Sequence, residues 1–111
     1  MSQSFYFDPN GKGLSVFLGP TEVRLMELCW EHGPLTVKKA VYLWNPPPKP
    51  AYTTVMTVLT RLAAKGLLKK IKQAKSYVYE PVFDRQAFEK DRLEIVLACL
   101  RANFPQALRQ I

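Results

Sequence analysis

No acidic residue occurs between His32 and Tyr79 of this 111-residue chain. Nine of its sixteen Lys and Arg residues nevertheless fall there: Lys38, Lys39, Lys49, Arg61, Lys65, Lys69, Lys70, Lys72 and Lys75. The remainder is slightly acidic, so the net charge of +7 is concentrated in one segment. Two cysteines and one histidine are too few for the ligand set of a structural zinc site, and no metal is expected. Cys29 and Cys99 lie far apart within apolar helical patterns and read as buried thiols. No apolar run approaches the roughly 20 residues of a membrane span. Residues 1–8 lack the basic start and apolar stretch of a signal peptide, so a cytoplasmic protein without a membrane partner is expected. Paired carboxylates in an apolar setting, a glycine-rich phosphate loop and a nucleophile elbow are all missing, which argues against an enzyme and against a cofactor.

Among what is present, residues 51–66 carry the most information: Ala-Tyr-Thr-Thr-Val-Met-Thr-Val-Leu-Thr-Arg-Leu-Ala-Ala-Lys-Gly. Val55, Val58, Leu59 and Leu62 recur at the spacing of a helix packed on one side, while Thr53, Thr57, Thr60 and Ala64 fall opposite. Solvated helix faces usually carry Glu and Lys, because β-branched Thr costs a few tenths of a kcal/mol per position. A short hydroxyl with a methyl suits a DNA groove, where it meets base edges, thymine methyls and phosphates. The competing reading is a helix packed on both sides, with Thr filling small gaps. Lysines around this helix, with no acid among them, match the electrostatic footprint of a nucleic-acid surface, although a solvated basic face or an acidic protein partner has the same composition.

Upstream, two short runs, Ser4-Phe-Tyr-Phe7 and Leu14-Ser-Val-Phe17, flank a Pro/Asn/Gly cluster and suggest short strands. Leu18-Gly-Pro-Thr-Glu22 opens a core helix, with Pro20 in its first turn and Glu22 near its positive end, and Gly33-Pro34 closes it. Thr36 caps a short second helix carrying Lys38 and Lys39 in its first turn, a placement suited to phosphate. Asn45-Pro-Pro-Pro-Lys-Pro50 is a stiff connector. After Gly66 the period changes to that of two strands around a polar tip at residues 73–75, a basic wing with Lys72 and Lys75 at its end. Asp84 caps a long last helix. Its stripe of Leu93, Val96, Leu97 and Leu100 lies beside a second one of Phe88, Ile95 and Cys99; one can pack on the body and the other is free for a two-fold dimer contact.

These elements make an α+β, mainly α, winged helix-turn-helix: three helices plus a β-hairpin wing, an amino-terminal β extension and a carboxy-terminal dimerisation helix. The expected division is residues 1–17, 18–83 and 84–111. Leu18-Gly-Pro-Thr-Glu-Val23, Met26-Glu-Leu-Cys-Trp30, Gly33-Pro-Leu-Thr-Val37, Tyr52-Thr-Thr-Val-Met-Thr-Val-Leu-Thr-Arg-Leu62, Lys65-Gly-Leu-Leu68 and Tyr77-Val-Tyr79 together resemble the penicillinase-repressor family. That resemblance implies a transcriptional repressor binding a palindromic double-stranded DNA operator as a homodimer through its carboxy-terminal helices. The DNA-binding candidates are Thr36, Lys38, Lys39, Tyr52, Thr53, Thr54, Thr57, Thr60, Arg61, Lys72 and Lys75. Dimerisation falls to Leu93, Val96, Leu97 and Leu100. Copper-responsive members end in a cysteine cluster that is absent here. β-Lactam-responsive members are cut by a sensor protease between Asn and Phe, and Asn103-Phe104 matches that pair; the competing reading is that Asn103 ends the helix and Pro105 starts a last turn. The alternative function is a winged-helix protein–protein interaction module in a larger assembly.

Overall fold

The computed structural model describes residues 5–111. Three helices, α1 (Pro20–His32), α2 (Val37–Leu43) and α3 (Tyr52–Ala64), lead into a hairpin of β1 (Leu68–Gln73) and β2 (Ser76–Pro81). Two further helices, α4 (Arg85–Asn103) and α5 (Pro105–Arg109), complete the chain.

Local chemistry accounts for the boundaries. At the start of α1, Pro20 occupies the first turn and Glu22 Oε1 accepts from the Gly19 amide at 3.0 Å, satisfying one of the free donors of a helix start. Gly33, at φ +80°, ends that helix in a conformation that side chains disfavour. Thr36 Oγ1 accepts from the Lys39 amide at 3.0 Å, and Asp84 Oδ1 from that of Ala87 at 2.8 Å. The prolines after Trp44 leave the end of α2 without continuing donors, and Lys49 supplies them: its Nζ donates to the carbonyls of Val41, Tyr42 and Trp44 at 2.9, 2.6 and 3.1 Å.

Leu25, Met26, Cys29, Leu35, Ala40, Val55, Leu59 and Leu62 form the centre of the core, where the inner faces of α1, α2 and α3 meet. The wing is joined to this body by its backbone. Leu35, between α1 and α2, exchanges hydrogen bonds with Tyr79 at 2.9 and 2.8 Å, so the hairpin gains a third strand position. Its register pairs Leu68 with Pro81 and Gln73 with Ser76.

Among the described residues, α4 is anchored to the body at its beginning. Phe88 is fully buried, with the Phe17 ring edge-on at 6.5 Å and the Trp30 ring at 5.9 Å. Trp30 Nε1 donates to the Phe83 carbonyl at 2.7 Å. Beyond this cluster the helix leaves the body. The molecule measures 54 × 29 × 23 Å and its radius of gyration is 16.0 Å, against about 13 Å for a compact chain of this length.

Two expectations are corrected. Residues 5–17 form no strand: they contain a 3₁₀ turn over Gly13–Val16, and Ser4, the first residue of one expected run, lies outside the described residues. Asp8 is the reason, because its carbonyl accepts from Gly11, its carboxylate from the Asn10 amide, and its own amide donates to Val16 at 2.7 Å. The two segments thus meet at one backbone bond, and the 3₁₀ turn over Gly13–Val16 takes the second run out of the extended conformation that a ladder needs. Cys99, expected inside, is exposed because α4 has already left the body at that point. Of the second stripe only Phe88 is buried; Ile95 is exposed, as are Leu93 and Leu97.

Candidate nucleic-acid interface

The inner face of α3 is sealed by Val55, Val58, Leu59 and Leu62, and helical geometry then forces the remaining side chains outward. Tyr52, Thr53, Thr54, Thr57, Thr60 and Arg61 are all exposed. The threonines therefore do not fill gaps between packed helices. Tyr52, Met56 and Thr60 line one side of a concavity of about 510 Å³. Thr36, Val37 and Lys38 at the start of α2 and Lys70, Lys75, Ser76, Tyr77 and Tyr79 of the hairpin complete it. Thr53, Thr54, Thr57 and Arg61 line a second, shallower depression on the neighbouring face of α3. No acidic residue lines either one.

The wing carries an arrangement that the sequence reading did not single out. Strand alternation puts Lys70 and Lys72 on one face of β1, and the register sets them beside Tyr79 and Tyr77. Lys70 Nζ lies 4.3 Å from the Tyr77 ring centre and 5.9 Å from that of Tyr79, and Lys72 Nζ lies 4.8 Å from Tyr77. Two lysines are thus held over an aromatic floor that leaves their charge facing outward. Period-two reading of Lys70-Ile-Lys72 against Tyr77-Val-Tyr79 contained this signal; it needed the register. Met56, which is 41% exposed, was not singled out either.

Not every lysine of the acid-free segment belongs to the open field. Lys65 Nζ donates to Glu22 Oε2 at 2.8 Å in a largely buried pair, and Lys49 is committed to the carbonyls at the end of α2. Lys38, Lys39, Lys69, Lys70, Lys72 and Lys75 remain exposed, together with Arg61. Lys39 stands in the first turn of α2, where its amide is taken by Thr36, so the Thr36 hydroxyl serves the cap. Thr60 Oγ1 lies 3.4 Å from Tyr79 Oη, which ties α3 to the wing across the floor of the concavity. The seven-residue α2 and the wing lysines thus flank α3 on the same side of the molecule.

Among the described residues, no group of three or more His, Cys, Asp or Glu side chains is placed to hold a metal. Burial pushes the Cys29 thiol up to about 12 from its ordinary 9.0, leaving it a protonated core group.

The profile of the family described as "Penicillinase repressor" matches residues 18–111. The chain belongs to the penicillinase-repressor family. Two curated relatives, both named Transcriptional regulator BlaI, from Mycobacterium tuberculosis strains CDC 1551 and H37Rv, are each 39% identical over 69 residues, 61% of this chain. The match spans half the length of those relatives. Among solved structures, the solution structure of the DNA-binding domain of the repressor BlaI aligns with a TM-score of 0.50 at 25% identity. That alignment covers 60% of this chain and 82% of the other. Within the penicillinase-repressor family, then, this chain has the winged-helix architecture expected from its sequence, with a two-stranded wing after three helices.

Proposed function

We propose that this penicillinase-repressor family member is a DNA-binding transcriptional repressor that lays α3 in the major groove and its wing against the flanking backbone. One observation carries the reading: the outer face of α3 exposes a threonine row beside a concavity in which Tyr52, Met56 and Thr60 share the lining with Lys38 of α2 and Lys70 and Lys75 of the wing, and no acid lines either surface. Each phosphate met by a lysine releases counterion, which supplies affinity, while α3 supplies the base contacts. Thr36, Lys38, Lys39, Lys72 and Lys75 act on the backbone in this reading. Tyr52, Thr53, Thr54, Thr57, Thr60 and Arg61 face the bases. Residues 18–83 are the DNA-binding unit and residues 84–111 the dimerisation segment.

The uncovered stripe of α4 supports a homodimer and, with it, a palindromic operator. Leu93 and Leu97 remain exposed after Phe88 is packed, and Val96 and Leu100 are only partly covered; a second copy related by a two-fold axis covers such a stripe. At the joint of α4 and α5, Asn103 and Phe104 are exposed, which supports their assignment as a cut for a sensor protease. Their local structure also has a plain conformational use, for Asn103 Nδ2 donates to the Cys99 carbonyl at 2.8 Å and Pro105 opens α5. No helix of the described residues is long and apolar enough to cross a membrane, in keeping with work in the cytoplasm. Selection of bound fragments from random duplex DNA tests the reading. An inverted repeat is the expected product; recovery of no consensus, with binding insensitive to salt, rejects it.

A further inference from the structure

Two different surfaces run side by side along α3. One row, Thr53, Thr57 and Arg61, offers hydroxyls and a guanidinium. The adjacent row, Tyr52, Met56 and Thr60, is apolar at its centre, and Met56 there is 41% exposed beside a Tyr52 that is 54% exposed. Across the concavity stands Tyr77, 44% exposed, and the rim is formed by Lys38, Lys70 and Lys75. An apolar Met56 between two aromatic rings, beside the Thr60–Tyr79 hydroxyl pair and among exposed lysines, fits a ligand that is anionic at its edges and has a small apolar group at its centre. In the major groove the phosphates are those edges, and the one apolar group that a base presents is the C5-methyl of thymine.

We propose that Met56 is a specificity-determining residue that reads a thymine methyl, with the Tyr52 and Tyr77 rings walling the contact. The inference rests on the DNA-binding reading and adds the base and the atom. A thioether suits the task because it is polarisable and its unbranched chain adapts to a methyl presented at a groove floor. The neighbouring threonine row is then left to hydrogen-bond base edges, so the two rows divide the readout between them. Removing one buried methyl costs about 0.8 kcal/mol, a roughly fourfold loss of affinity.

The test uses the full chain and the duplex recovered by selection from random DNA, in which each thymine is replaced singly by deoxyuridine. At one position per half-site the wild type is expected to lose three- to fivefold in affinity. Met56→Ala should bind the thymine duplex more weakly by a similar factor and be indifferent to the same replacement, whereas Met56→Leu should keep the discrimination. A wild type indifferent to every deoxyuridine overturns the proposal, as does a Met56→Ala protein that still pays the full loss; Met56 would then be a surface partner of Tyr52 alone. Failure of the wild type to select any duplex removes the DNA-binding reading itself, a result distinct from either of these.

Discussion

Glu22 and Lys65 meet at 2.8 Å, and the same carboxylate accepts from the Gly19 amide with its other oxygen at 3.0 Å. One side chain therefore caps α1 and clamps the end of α3 to it, and in doing so removes a lysine from the basic field. Glu22→Gln is expected to cost about 2–3 kcal/mol, because a largely buried ammonium loses its charged partner. Urea denaturation measures the loss. The salt dependence of DNA binding should not become shallower, since Lys65 is not a phosphate contact.

Thr57→Asp places a carboxylate on the exposed row of α3, against acceptors and phosphates. DNA binding should disappear while circular dichroism and thermal unfolding stay close to wild type, because Thr57 is exposed on the outer face of α3. Unchanged affinity in an anisotropy titration would remove α3 from the interface.

Lys75→Ala and Lys70→Ala should each weaken binding to all sequences alike and lower the slope of log K against log salt by about one. Lys49→Ala should behave in the opposite way: an unaltered slope with stability reduced by about 1 kcal/mol, a few degrees in Tm, because this lysine satisfies carbonyls at the end of α2. Equal salt slopes for Lys75→Ala and wild type would take the wing tip off the phosphate.

The two thiols should separate chemically. Cys99 is exposed and reacts with an aromatic disulfide reagent in the native protein, whereas Cys29 reacts only after unfolding. Below the ordinary pKa of 9.0, Cys29 is protonated in both states and pH does not act on stability through it. As pH rises from 9.0 towards about 12 the unfolded chain ionises first, so stability falls across that window. Alkaline unfolding of Cys29→Ala should show a weaker dependence there.

Phe88→Ala should be costly, at about 3–5 kcal/mol, because it empties a fully buried site between Phe17 and Trp30. It should also loosen the first turns of α4 from the body. Hydrogen exchange that rises in α4 before it rises in α1 and α3 is the expected signature; uniform exchange would show that α4 has other anchors.

Helix positions, caps and the wing were readable along the chain because each rests on neighbours. Pro20 with Glu22, Thr36 before Val37, Asp84 before Arg85, and the switch from a 3.6 to a two-residue period after Gly66 all act over a few residues. Even the outward set of α3 followed from its inward one. The strands expected around the Pro/Asn/Gly cluster failed over residues 5–17 for the opposite reason: runs so short need a neighbouring strand to extend them, and the 3₁₀ turn over Gly13–Val16 forms in place of the second one.

By itself, then, the sequence determined which residues form the three helices and the hairpin, which faces turn inward, and that positive charge gathers on the segment between them. Only the tertiary structure decided which charges stay free. Glu22 is 43 positions from Lys65, and Tyr79 is 19 from Thr60, so no local pattern announces either pair. Folding brought them together, withdrew Lys65 and Lys49, raised Lys70 onto the Tyr77 ring and left Met56 uncovered, because packing of α1 against α3 and strand register are settled by long-range contacts.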